Sequence, residues 1–197
     1  LNGMGINSAG ANYRILNNKF STIGATGSLA NLASGMELRG ISNSVVSGNV
    51  IKDCTNATTG VADGIRLEYN TDLTSIVTGV SVTNNTITNI NAFGIRGQYI
   101  YDCELVGNYI TRSSTGYDGI ALLGSSTVGY PASKNCTVSG NVIKGMSSYA
   151  GIYIQGAATN LVSNCSINGN SIDTATYGIR VDNGKGNAVV GNSIKSC

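Results

Sequence analysis

Seven asparagines, Asn18, Asn49, Asn85, Asn108, Asn141, Asn170 and Asn192, recur along this chain inside one short pattern. Three residues before each stands an aliphatic side chain: Ile15, Val46, Val82, Leu105, Val138, Ile167 and Val189. Two residues after each stands another large apolar one: Phe20, Ile51, Ile87, Ile110, Ile143, Ile172 and Ile194. Self-similarity of this kind marks a solenoid, in which a repeat buries its apolar face only by stacking on its neighbours. Successive asparagines are 22 to 36 residues apart, so the stacked strands keep their length while the connections vary. The residue before each asparagine is Gly or Asn (Asn17, Gly48, Asn84, Gly107, Gly140, Gly169, Gly191), types that tolerate a left-handed bend. The bend turns the following amide inward, where amides of successive coils are expected to hydrogen-bond as a ladder.

A second element interleaves with the first. Gly5, Gly35, Gly64, Gly94, Gly119, Gly151 and Gly178 are followed by Ile6, Met36, Ile65, Ile95, Ile120, Ile152 and Ile179, and most carry a further apolar residue two positions on. This Gly-apolar-x-apolar alternation has the two-residue period of a strand with one buried face. Each repeat is thus expected to supply a Gly-led strand, a connection, and two short strands on either side of the asparagine.

Together these patterns resemble the right-handed parallel β-helix of the pectate-lyase and phage-tailspike (capsule depolymerase) superfamily over nearly the whole chain. The resemblance implies an all-β solenoid of about seven coils with an asparagine ladder. The segment Cys136–Ile143 also fits the core of a leucine-rich repeat, but such repeats hold a near-constant length and return through helical segments. Here the returns are rich in Gly, Ser and Thr. Charged residues make up 11% of the chain against a usual ~25%, as expected where equivalent side chains stack in columns and like charges repel. Nothing reads as a linker, so residues 1–197 are expected to form one β-helix domain, and the absence of capping sequences predicts a piece of a longer protein.

The five cysteines follow the same register. Cys103, Cys136 and Cys165 lie five residues before their asparagines, and Cys54 and Cys197 five after, positions expected to face inward as unbridged thiols. The odd number argues against a disulfide framework and for synthesis in a reducing cytoplasm. With no histidine and no C-x-x-C spacing, neither a metal nor a cofactor is expected. No apolar run approaches the ~18 residues of a membrane span. A net charge of +2 without a basic stripe speaks against nucleic acid, and the mixed outer columns against ice.

Outward positions of the Gly-led strands hold an unusual share of the charge. One column runs Asn7, Glu37, Arg66, Arg96, Ala121, Tyr153 and Arg180, and the next Ala9, Arg39, Glu68, Gln98, Leu123, Gln155 and Asp182. Long connections flank them (21–34, 53–63, 68–79, 123–135 and 155–164), and would wall the sheet into a groove suited to a polysaccharide. Glu37 and Glu68, on adjacent coils with Cα atoms ~8 Å apart, are the candidate catalytic pair, near the ~6.5–9.5 Å separation of an inverting glycosidase. Arg39 and Arg66 stand beside them as candidate ion-pair partners. Arg66 and Arg96 stack as like charges, a contact that calls for an anion between them, here a uronic or sialic acid. Gln98, Tyr153, Gln155, Tyr177, Arg180 and Asp182 complete the candidate substrate-binding set. Hydrolase, lyase and binding without cleavage all stay open, although the His-dependent and calcium-dependent chemistries of related β-helices lack their residues here. What the resemblance implies is a polysaccharide-binding protein of a virion or other extracellular surface, with no nucleic acid or membrane partner, assembling as a homotrimer. The alternative is a structural or adhesive shaft without catalysis.

Overall fold

The computed structural model describes residues 3–7, 9–25, 32–56, 61–69, 75–112, 117–125 and 130–197. Among the described residues every strand pairing is parallel, equivalent residues stack from coil to coil apart from a register shift between Met146 and Ala150, and no helix occurs. Three strips wrap the core. Strands preceding the asparagine form a seven-stranded sheet from Arg14–Leu16 through Val45–Ser47, Ser81–Thr83, Glu104–Val106, Thr137–Ser139 and Ser166–Asn168 to Ala188–Val190. Strands following it include Lys19–Ala25, Val50–Asn56, Thr86–Ile90 and Tyr109–Thr111. The Gly-led strip holds Met4–Asn7, Leu32–Arg39, Val61–Glu68, Ile95–Gln98 and Ile120–Leu123. Val142–Gln155 and Ser171–Asp182 each run from the second strip into the third, and so fuse the two into one 12-stranded sheet. The arrangement is a parallel β-helix.

The core is the predicted pair of apolar columns. Val46, Val82, Leu105, Val138 and Ile167 are fully buried, as are Ile51, Ile87, Ile110 and Ile143. Burial of one such side chain stabilises by about 1.5–3 kcal/mol, and the columns repeat it at every coil. In the last coil the same positions, Val189 and Ile194, are exposed.

The asparagines form a continuous ladder of one polarity. The backbone N–H and the Nδ2 of Asn49 both donate to Oδ1 of Asn85, at 2.9 Å each. The same double bond links Asn85 to Asn108, Asn108 to Asn141, and Asn141 to Asn170. Each Nδ2 also reaches the carbonyl of the aliphatic residue one coil below, as from Asn141 to Leu105 O at 2.9 Å. The preceding residue is left-handed at all seven sites, with φ from 54° at Asn84 to 67° at Gly48.

The glycine column exists for a different reason. A Cβ on Gly35 would meet the carbonyl oxygen of Gly64 at 2.6 Å, and one on Gly151 that of Gly178 at 2.8 Å. The Cγ2 atoms of Ile51, Ile87, Ile110, Ile143 and Ile172 fill the same space from the facing strip. Close approach of two strips, not backbone flexibility, therefore excludes side chains here. This corrects the first repeat: Met4 pairs with Met36 and Ile6 with Leu38, so its column glycine is Gly3 rather than Gly5. Gly3-Met4-x-Ile6 also satisfies the pattern better than Gly5-Ile6-x-Ser8, and a shift of two residues preserves which side chains face inward.

Cys54, Cys103, Cys136 and Cys165 are buried and unbridged. Cys197 is unbridged but exposed, which corrects the inward placement expected of it. The long early connections are partly strand: Ile23 pairs with Cys54 and Leu32 with Val61. Segments 26–31, 57–60, 70–74 and 126–129 of the expected walls lie outside the described residues.

Candidate functional site

Coil-to-coil pairing generates the two outward columns. Glu37, Arg66, Arg96, Ala121, Tyr153 and Arg180 are successive partners, as are Arg39, Glu68, Gln98, Leu123, Gln155 and Asp182. In the first coil these positions belong to Gly5 and Asn7, so Ala9 drops out of the second column and Asn7 moves into it.

In the second to fourth coils the charged side chains bind each other. Arg39 donates to Glu37 Oε1 from Nε at 2.9 Å and from Nη2 at 2.6 Å, and approaches Glu68 at 3.4 Å. Arg66 meets Glu68 at 2.7 Å and Glu37 at 3.9 Å. The tightest contacts thus run along each strand, between residues two apart, with looser ones across coils. All four side chains are withdrawn from solvent, Arg66 to 5% exposure and Glu68 to 7%. The two candidate catalytic carboxylates are brought together as the register predicted, and both are held by arginines.

Arg66 and Arg96 are register partners on adjacent strands, and a carboxylate of the chain, Asp63, feels both. Asp63 is fully buried, and its Oδ1 accepts from the Phe93 N–H at 3.2 Å. Burial pushes its carboxyl up to about 6, against the pull of Arg96 and then Arg66. Burial, with Arg66 beside it, lowers Arg96 from the usual guanidinium range. Arg96 donates to Gln98 Oε1 and lies 5.7 Å over the Phe93 ring, while Gln98 donates to the Tyr99 hydroxyl at 2.8 Å. Arg39, Arg66, Glu37 and Glu68 make this half of the face a closed mesh of ion pairs, with the mostly buried Arg96 and the buried Asp63 beside it. The outward residues of the next coil, Ala121 and Leu123, are also buried, at 0% and 8% exposure.

Beyond them the face opens. A groove of about 350 Å³ is lined by the rings of Phe93, Tyr117, Tyr149, Tyr153 and Tyr177, with Asp118, Gln155 and Arg180 among its polar groups. Phe93 and Tyr117 stack at 5.0 Å, and Tyr117 and Tyr149 tilt together at 5.3 Å, so an aromatic ribbon climbs along the helix axis. Tyr117, Tyr149 and Tyr177 are 41%, 39% and 50% exposed, a large aromatic surface to leave in water. Arg180 bonds Asp182 at 2.7 Å and lies over the rings of Tyr153 (5.1 Å) and Tyr177 (5.3 Å). The Tyr153 hydroxyl donates to the same Asp182 at 2.9 Å. Burial and then this bond push the Tyr153 phenol up to about 12, whereas the bonds from Arg180 and Tyr153 hold Asp182 below the usual carboxylate range. Asp118 accepts the Ala150 N–H at 2.8 Å, and burial raises its carboxyl.

The candidate residues therefore divide. Glu37, Glu68, Arg66, Arg96 and Gln98 sit in or against the closed mesh, while Tyr153, Gln155, Tyr177, Arg180 and Asp182 sit in or beside the open groove. Missed from the sequence were Asp63 and Asp118, each directly before a column glycine, and the ribbon residues Phe93, Tyr117 and Tyr149. Their signal was an aromatic one or two positions before that glycine in four successive repeats. Among the described residues, no three acidic, Cys or His side chains group to hold a metal ion, and no helix is long and apolar enough to cross a membrane.

The right-handed β-helix region family model matches residues 100–197. The fold is a right-handed parallel β-helix. Among solved structures, the chain is similar to the Streptococcus pneumoniae surface protein and adhesin PfbA, with 12% identity and a TM-score of 0.44 over 98% of this chain and 66% of that one. It is similar also to the A-module of the Azotobacter vinelandii mannuronan C-5 epimerase AlgE6, with 17% identity and a TM-score of 0.39 over 83% of this chain and 60% of that one. The chain thus spans under two thirds of the length of either. No curated protein matches its sequence.

Proposed function

We propose that this β-helix recognises a polysaccharide through the open end of its Gly-led face. The observation that carries the reading is the groove of about 350 Å³ with five aromatic side chains in its lining. Its size falls in the range of about 300–1,000 Å³ usual for ligand sites. Exposed tyrosines present flat apolar faces to the C–H faces of a pyranose and hydroxyls to its rim, and Gln155, Arg180 and Asp182 add donors and acceptors beside them. A groove that rises with the coils suits an extended polymer. Display on a cell or virion surface, in the manner of a tailspike or depolymerase, and assembly as a homotrimer go with this reading, and light scattering of the purified chain tests the assembly.

A glycan array tests the reading itself. Retention of at least one polysaccharide is expected, with loss on Tyr177→Ala while the far-ultraviolet circular dichroism is unchanged. A shaft without ligands would retain none. Cleavage belongs to a further step in which Glu37 or Glu68 acts as acid or base, a role that requires the carboxylate to leave its arginine. Incubation of a retained glycan followed by product analysis checks it: products formed by the native chain and absent with Glu68→Gln are the outcome it requires.

A further inference from the structure

We infer that the glycan held in this groove is uncharged along the stretch that contacts Tyr149, Tyr177 and Arg180, and that the Arg180–Asp182 pair sets this preference. The inference rests on the glycan reading above and names the class of sugar.

Of the groove's lining residues, only Arg180 and Asp118 carry charge, and both are already committed. Arg180 is bonded to Asp182 at 2.7 Å and lies over the rings of Tyr153 and Tyr177, with part of its side chain open to solvent. A uronate or sialate carboxylate that reaches the remaining N–H groups of that guanidinium must share it with Asp182, and is repelled by that carboxylate. Asp118, only 5% exposed and bonded to the Ala150 N–H, adds a second negative charge that repels an acidic ligand. The nearest other cation, Arg112, donates to the Tyr117 carbonyl, and its remaining Nε and Nη2 are sealed from solvent. Arg39 and Arg66 are matched by Glu37 and Glu68, and Arg96, mostly buried, donates to Gln98.

An uncharged sugar meets none of these obstacles. Its hydroxyls donate to the free lone pairs of Asp182 and accept from Gln155 or from tyrosine hydroxyls without unmaking the ion pair. Its C–H face packs on Tyr149 or Tyr177, both open to solvent. The Arg180–Asp182 pair thereby acts as a filter, since with Asp118 it sets two carboxylates against one cation where an acidic glycan would bind.

The test titrates the intact chain with neutral oligosaccharides (glucan, mannan, galactan) and acidic ones (polygalacturonate, alginate, sialylated glycans) of matched length. Neutral binding is expected, changing by less than about twofold between roughly 0.05 and 0.5 M salt, where screening removes most exposed charge attraction. Tyr149→Ala or Tyr177→Ala is expected to weaken it by about tenfold or more, the equivalent of one lost stacking contact. Asp182→Asn frees Arg180 and is expected to gain measurable affinity for acidic oligosaccharides, which high salt abolishes. Acidic binding by the native chain, lost with salt and with Arg180→Ala, overturns the uncharged class and leaves the glycan reading standing. No binding of either class, with Asp182→Asn equally silent, overturns the glycan reading itself.

Discussion

Each asparagine of the column serves two neighbours at once. Asn141 accepts two bonds from Asn108 on one side, gives two to Asn170 on the other, and ties down the Leu105 carbonyl. Asn141→Leu therefore strands several buried groups at about 1–3 kcal/mol each, and its denaturation midpoint is expected to fall far below that of Thr137→Ala, an outward change worth within about 0.5 kcal/mol. Equal midpoints would show that the amides contribute nothing. The glycines divide by cause. Gly119→Ala puts a methyl 2.6 Å from the Gly151 carbonyl and is expected to cost about 1–3 kcal/mol. Gly169, with φ 62° and nothing within 4 Å of a built Cβ, is expected to accept Asn at little cost, because Asn17 and Asn84 occupy the same position elsewhere. Asp63 supplies a pH dependence. Its folded value of about 6 lies above the ordinary 3.8, so the folded chain holds the extra proton between the two. Stability from this site is present below about pH 4 and is lost as pH rises through about 6, on the order of 3 kcal/mol in all. Stability curves of the native chain and Asp63→Asn should diverge across that window, and parallel curves would count against it.

At the scale of strands, what was legible in the sequence was whatever the inward side chains fix. The Val46 and Ile51 columns, the asparagines and the bend before them all read directly, because parallel stacking forces equivalent residues onto one another and any exception would disrupt both neighbours. The first repeat slipped by two residues because Gly3 and Gly5 both precede an apolar residue, and what separates them is the second apolar position, Ile6 against Ser8, and the close approach of the strips at Gly3. The site was legible in part. Register placed Glu37 beside Arg66 and Arg96 beside Arg66, but not whether these charges face a ligand or each other, since that depends on which rotamers the covered face permits. Asp63 and Asp118 stayed outside the candidate set because their column also holds Phe93, Ala150 and Tyr177, so the column as a whole has no single chemistry. The thiol column offers a check on the stacking. Cys54, Cys103, Cys136 and Cys165 are buried, Cys197 is exposed, and burial pushes the Cys54 thiol up to about 12. Native labelling should therefore modify one thiol promptly and the other four only after unfolding. Prompt reaction of Cys103 or Cys136 would contradict the buried column.

The whole molecule is a stack in which each coil touches only its neighbours, so its stability is expected to be graded rather than uniform. Amides of Val82, Leu105 and Val138, in fully buried central coils, should exchange with deuterium most slowly, and those of Ala188–Val190 and Ser193–Lys195, exposed throughout, most quickly. A flat protection profile would indicate all-or-none unfolding instead. The asparagine ladder has one more property at this scale. Backbone bonds between neighbouring strands run both ways, from Val45 N–H to Tyr13 O and from Asn17 N–H to Ser47 O, so their dipoles largely cancel, as in sheets generally. The amides of the column do not alternate: at each of the six steps from Asn18 to Asn192 the Nδ2 of one coil gives to the Oδ1 of the coil after. The helix thus encloses an electrical axis, negative toward its first coil and positive toward its last, an internal field that follows from seven side chains and that no count of surface charge reveals.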